Sequence, residues 1–256
     1  MRRFYQESWL GIPFTAFAGV SFFRLADSRF YSSFYEELFR RHKSWDNLPP
    51  EWLETKKKDA EWLIEQIRLN LAFRPADAPP YRVLSIGSGT GLMEWLILQA
   101  IPNLELYVNE PSTIGMKWTK TFIPAERIFI GFPPACLPAD IKYDLIYLSA
   151  VDYAFSRRSF ERLLETLRGQ LEKGGELLCL SASLLQEDSF IGGLVNVLKN
   201  IIRCILHFSG IRRQQFWGWR RTSKEYVKLF RKAGFNDIAS GRLQDPSESF
   251  WIKGKN

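Results

Sequence analysis

Cysteine and histidine are scarce: three of the first and two of the second in 256 residues. Cys136, Cys179 and Cys204 form no CxxC pair and no Cys/His cluster. That excludes a disulfide framework and a structural zinc site, and it points to a reducing compartment, the cytoplasm. No metal is expected. A long uninterrupted apolar run is also lacking. Residues 190–208, FIGGLVNVLKNIIRCILHF, carry Lys199 and Arg203 in mid-segment and Gly192 with Gly193 near the start, so no transmembrane helix is expected. At the N-terminus, Gln6 and Glu7 follow Arg2 and Arg3, and Gly11 with Pro13 break the apolar stretch needed for a cleaved signal peptide. Internal repeats and low-complexity tracts are absent.

What is present is a globular composition, 46% apolar and 25% charged, in a chain long enough for one well-buried domain with additions. The net charge of +7 is unevenly placed. From residue 189 onward there are 13 Lys/Arg against 4 Asp/Glu, while residues 1–188 hold 22 against 24. A basic C-terminal quarter suits nucleic acid, anionic headgroups or a phosphorylated small molecule, or is plain solvated surface.

Periodicity predicts helices over residues 28–42, with Phe30, Phe34, Leu38 and Phe39 on one face, and from Pro50 to about Phe73. Residues 1–75 therefore read as a helical N-terminal cap, closed by RPADAPP. Beyond residue 80 the pattern alternates. Strands are expected at 82–86, 104–109, 127–130, 143–149, 175–182, 235–239 and 249–253, with helices at 91–100, 112–122, 157–172 and 222–233. Short apolar strands separated by helices imply an α/β sheet covered on both faces, with ligands beyond the carboxyl ends of its strands.

The first of these strands runs into Gly87-Ser88-Gly89-Thr90-Gly91 and then a helix. Glycines there permit a tight turn and close approach of backbone to a ligand, and the helix start supplies free N–H donors. Position 92 is Leu, so the G-x-G-x-x-G dinucleotide spacing is not met, and no Gly-Lys-Ser/Thr follows to make a phosphate loop. Glu110, ending the second strand 23 residues after Gly87, is placed to accept hydrogen bonds from both hydroxyls of a ribose.

VLSIGSGTG, LYVNEPS, KYDLIYLSAVDY, LEKGGELLCLS and EYVKLFRKAGF, in that order, resemble the motifs of the class I S-adenosylmethionine-dependent methyltransferases over roughly residues 80–256. The resemblance implies a Rossmann-like seven-stranded, mostly parallel sheet of order 3-2-1-4-5-7-6, and S-adenosylmethionine as cofactor with S-adenosylhomocysteine as product. It implies a cofactor site of Ser85, Gly87, Ser88, Gly89, Thr90, Gly91, Glu110, Pro111, Phe132, Ser149 and Ala150. Two departures stand out. Ser85 occupies the position where the family usually has an acid, and the loop after the third strand, GFPPACLP, lacks the acid that reaches the adenine, leaving Phe132 to stack there.

Residues 149–153 should border the transferred methyl, with Asp152 as candidate general base or, alternatively, a loop acid. The inserted segment 186–221 is read as an apolar helix with a polar stripe of Asn196, Asn200, Arg203 and His207, followed by a basic-aromatic loop. Tyr153, His207, Trp217, Trp219, Arg220 and Arg221 are the candidate substrate contacts. The helix suits a lid over a lipophilic acceptor, an interfacial membrane contact, a homodimer surface or core. The leading expectation is methylation of a small molecule: a sugar, a lipid-linked glycan or a secondary metabolite, with oxygen the preferred acceptor. The alternatives are an RNA or protein methyltransferase docking through the basic quarter, or a non-catalytic scaffold. The Asn/Asp-Pro-Pro-aromatic signature of nucleobase amino-methylation is absent, which ranks nucleic acid second.

Overall fold

The computed structural model describes residues 2–75, 77–181, 184–185, 190–244 and 249–256, and of residues 190–196 the backbone alone. The N-terminal region is not helical throughout. It opens with β1 (Arg2–Gln6), β2 (Ser8–Trp9) and β3 (Ile12–Pro13) before α1 (Ser28–Arg41) and α2 (Pro50–Ala72). The Asp27 carboxylate caps α1 by accepting from the Phe30 N–H at 3.0 Å, and Arg40 and Arg41 sit in its last turn, where the helix dipole favours cations. Pro50 occupies the first turn of α2, where its missing N–H is not needed.

The α/β part follows as β4 (Arg82–Ile86), α3 (Leu92–Ala100), β5 (Glu105–Glu110), β6 (Ile128–Ile130), β7 (Tyr143–Ser149), α4 (Arg157–Gly169), β8 (Leu171–Ser181), α5 (Phe190–Phe208), β9 (Gln215–Arg220), α6 (Ser223–Lys232), β10 (Asn236–Arg242) and β11 (Phe250–Lys255). Seven strands make one sheet in the order β6-β5-β4-β7-β8-β11-β10. The first five are parallel; β11 runs antiparallel to both neighbours. This is the seven-stranded order that the sequence motifs imply.

Alternate residues of the central strands feed two cores, as a period of two requires. Leu84, Ile86, Ile146, Leu148, Leu177 and Cys179 meet α4 and α6 on one face. Val83, Leu106, Val108, Leu145, Tyr147 and Leu178 meet α3 and α2 on the other. Helix α2 buries Thr55, Asp59, Leu63 and Ile67, spaced four apart, so it is a wall of the sheet as much as part of a cap. A third core, entirely of residues 4–48 apart from Trp217, gathers Phe4, Phe14, Phe30, Phe34 and Leu38.

Two segments depart from expectation. Residues 112–122 form short 3-10 turns at Gly115–Lys117 and Thr119–Thr121 instead of an α-helix. The Gly115 backbone lies so close under the Tyr35 ring that a Cβ there would fall 2.8 Å from it, and this contact, not helical propensity, fixes the segment. The basic-aromatic stretch, expected as a loop, is strand β9, paired antiparallel with β1 from Arg2↔Arg220 to Gln6↔Gln215.

Candidate active site

The carboxyl ends of β4, β5 and β7 open into a cavity of about 950 Å³, which β1, α1, α2 and β9 enclose from the other side. Its floor is the glycine loop. Gly87, Gly89 and Gly91 all take positive φ, at 70°, 62° and 78°. A Cβ on Gly87 would lie 2.7 Å from Val151, and one on Gly91 2.2 Å from Thr119 Oγ1, so these two are also demanded by packing. The Gly87 and Ser88 N–H groups donate to the Asn109 carbonyl at 2.9 and 3.0 Å and tie the loop to β5.

Glu110, at the end of β5, is buried and lines the cavity. Its carboxylate accepts from the N–H groups of Gly89 (3.1 Å) and Ser112 (3.2 Å). Burial pushes its pKa up to about 7, against the pull of those two donors. Beneath the loop, Ser85 donates its hydroxyl not to solvent but to Glu94 Oε1 at 2.6 Å, and the Tyr147 hydroxyl donates to the same oxygen at 2.7 Å. The other oxygen, Glu94 Oε2, is buried with no hydrogen-bond partner among the described residues, and Glu94 lines the cavity. Burial raises the Glu94 pKa; its two hydroxyl donors and the charge of nearby Lys56 oppose the rise. Lys56 Nζ donates to Asp59 Oδ2 (3.0 Å) and Ser149 Oγ (2.8 Å), which brings α2 onto the end of β7. A carboxyl group from α3 thus lies against the Ser85 hydroxyl at the cavity wall.

The opposite end of the cavity is aromatic. Phe4, Trp9, Tyr31, Tyr35, Tyr153 and Trp217 contribute to its wall, and Trp217 stacks between Phe14 at 4.9 Å and Tyr153 at 5.9 Å. Burial raises the pKa of Tyr31, Tyr35 and Tyr153, which keeps all three phenols neutral near neutral pH. Arg220 also lines the cavity, its guanidinium 5.0 Å from the Phe4 ring centre.

Of the residues expected from the sequence, Ser85, Gly87, Ser88, Gly89, Thr90, Glu110, Pro111, Phe132, Ser149, Ala150, Tyr153, Trp217 and Arg220 all line this one cavity. Gly91 caps α3 just behind it. Asp152 does not serve as expected. Its carboxylate turns into the core, accepting from Ser181 Oγ (3.0 Å) and the Tyr226 hydroxyl, with Arg221 Nη1 at 4.0 Å. Arg221 is likewise no substrate contact: it is 1% exposed, donates to the carbonyls of Asp152 and Phe155, and lies over the Phe160 ring at 4.7 Å. Burial raises the Asp152 pKa against the pull of Arg221, Tyr226 and Ser181, and neither Asp152 nor Arg221 lines the cavity. Trp219 packs edge-on against Phe216, and His207 accepts from the Gln214 N–H at 3.0 Å while contacting Phe22 and Phe208, both away from the cavity. Glu94 and Lys56 were not foreseen. For Glu94 the signal was a lone carboxylate in LMEWLILQA, where a charge needs a reason to be buried.

The family model described as "Methyltransferase domain" matches residues 58–240. The chain belongs to the methyltransferase-domain family. No curated protein matches it in sequence. Among solved structures it is similar to magnesium protoporphyrin IX methyltransferase from Synechocystis PCC 6803 with bound SAH, at 16% identity and TM-score 0.59, over 90% of this chain and 97% of that one. It is also similar to a putative O-methyltransferase from Nostoc punctiforme PCC 73102 (16% identity, TM-score 0.58, 89% of this chain and 60% of that one). A third is human N-acetylserotonin methyltransferase in complex with SAM (16% identity, TM-score 0.55, 90% and 56%). The chain spans about 60% of the length of several of these structures. At such identities the likeness is one of fold.

Proposed function

We propose that this protein is an S-adenosylmethionine-dependent methyltransferase acting on a small, largely apolar acceptor with a planar ring. The observation that carries the reading is the single cavity in which the glycine loop, Glu94 and Glu110 share one end and a neutral aromatic wall forms the other. The residues present fit the cofactor. The unpartnered Glu94 Oε2 suits the ammonium group of its amino-acid end, the Glu110 carboxylate suits the ribose hydroxyls, and Phe132, half exposed at the rim, suits the adenine face. When bound, S-adenosylmethionine supplies an electrophilic methyl on a sulfonium.

For the chain itself, the task is placement: Tyr153 and Tyr31, backed by the buried Trp217, would hold the acceptor flat and orient its reacting atom toward the cofactor end of the cavity. No histidine or aspartate is among the described residues lining the cavity. Three glutamates do line it, but Glu94 and Glu110 stand at the cofactor end and Glu51 is exposed; with the tyrosines neutral, the lining therefore favours an acceptor oxygen with an acidity of its own, whose anion Arg220 would stabilise. A phenol or an enol meets that requirement; an unactivated sugar hydroxyl does not. The test is calorimetric titration with S-adenosylhomocysteine, followed by transfer of labelled methyl to a panel of phenols and simple sugars. Micromolar product binding with labelled phenols supports the reading. Labelled sugars with unlabelled phenols would overturn the acceptor class, and absent binding by folded protein would overturn the activity.

A further inference from the structure

The second half of α5 carries an apolar face that no described residue covers. Val197, Leu198, Ile201, Ile202, Ile205 and Phe208 are each about half exposed or more, from 48% to 66%, at spacings that put them on one stripe. The stripe continues off the helix into Ile211 and across to Phe23, which stacks on Phe208 at 5.8 Å. Surface patches of this size on a folded chain mark contact with something apolar. Cations flank it. Lys199, Arg212, Arg213 and Arg24 are exposed, and the sequence has no Asp or Glu from residue 189 to 224. Among the described residues, Glu7 is the acid that reaches these cations in an ion pair, meeting Arg212 at 3.0 Å.

We infer that this face docks on an anionic membrane surface, with α5 lying in the plane of the interface. An apolar stripe flanked by Lys and Arg is the pattern that buries side chains among acyl chains while cations meet the headgroups. No helix among the described residues is long and apolar enough to cross a bilayer, so α5 lies on the membrane and does not span it. A second copy is the poorer occupant, because a two-fold contact through this stripe brings the same cationic flanks together. Nucleic acid takes the cations but has no use for the apolar side chains.

The docking face adjoins the cavity mouth. Phe22 contacts His207 and Phe208 of α5, and three residues further on Leu25 lines the cavity and bridges to Phe216 of β9. A lipophilic acceptor leaving the bilayer therefore has a short path to the aromatic wall. Docking itself does not depend on the methyl-transfer reading, and its assay reads no activity.

The experiment is flotation of the full chain with vesicles of phosphatidylcholine alone and with phosphatidylglycerol added, together with sedimentation velocity. The expected results are a monomer, binding at least about tenfold stronger to the anionic vesicles, and loss of about tenfold or more in both Ile201→Ser/Ile205→Ser and Lys199→Glu/Arg213→Glu. These side chains are surface groups, and an unchanged melting temperature verifies that the variants fold. Failure to float with anionic vesicles, floating that survives Ile201→Ser/Ile205→Ser, or a dimer that this double variant dissociates would each overturn the proposal. Calorimetry with S-adenosylhomocysteine on the same variants keeps the two readings apart: its affinity stays at the wild-type value if only docking is lost.

Discussion

Glu94 brings a carboxyl group to a strand end that itself offers only a hydroxyl. Ser85 takes the strand position and hands its hydroxyl to the carboxylate that α3 swings beneath the loop. If Glu94 Oε2 receives the cofactor ammonium, Glu94→Gln, which keeps shape and loses charge, should weaken S-adenosylhomocysteine by about tenfold or more, since hydrogen bonds to charged groups are worth about 1.5–3 kcal/mol. Calorimetry checks this, with a melting curve to show that the buried amide is accommodated. Glu110 gives a pH test. Its pKa of about 7 in the ligand-free protein lies above the ordinary carboxylate value, so near neutrality much of it is protonated. Ribose hydroxyls donate to the charged form and favour it, so binding should tighten as pH rises from 6 to 8, with proton release. In Glu110→Gln that part of the pH dependence should disappear. For folding the sign is opposite: the native state holds the proton more tightly than the unfolded chain, so this group's contribution to stability is full below pH 4.5 and declines as pH rises through 7. Asp152→Ala leaves Arg221 buried without its carboxylate, and should cost about 3 kcal/mol in denaturant unfolding while leaving product affinity in the folded protein unchanged.

Among the elements, those made by local pattern were legible and those made by distant partners were not. β4 and β7 match their expected bounds residue for residue, because a short apolar run bounded by turn residues is its own evidence. β9 was hidden. QFWGWR alternates no more clearly than a loop, and its partner β1 lies some 200 residues earlier in an N-terminal region expected to be helical. The same holds for the site: the glycine loop and Glu110 declare themselves by spacing, whereas Lys56 matters only because α2 lies against the end of β7. Asp152 and Tyr153 are adjacent in sequence and opposite in role, since the turn that follows β7 sends one side chain into the core and the other into the cavity. That turn rests on β9. Gly218 has φ 155°, and a Cβ there would sit 2.2 Å from the Tyr153 carbonyl oxygen. Gly218→Ala should therefore push Tyr153 out of line, lowering kcat/KM for the acceptor by about tenfold or more while S-adenosylhomocysteine affinity stays within about threefold of wild type. Steady-state kinetics beside calorimetry separates the two.

On the scale of the whole molecule, one end of the cavity comes from the middle of the chain and the other from both its ends. The glycine loop, Glu94 and Glu110 fall within 24 residues, whereas the aromatic wall needs Phe4, Trp9 and Tyr31 together with Trp217 and Arg220. The pairing of Arg2 with Arg220 thus has a consequence for the protein as it is made. The segment with Phe4, Trp9 and Phe14 is synthesised more than 200 residues before Trp217, which covers it. During that interval the nascent chain offers a cluster of uncovered rings, the kind of surface that chaperones hold, and the aromatic end of the cavity is among the last features to take shape.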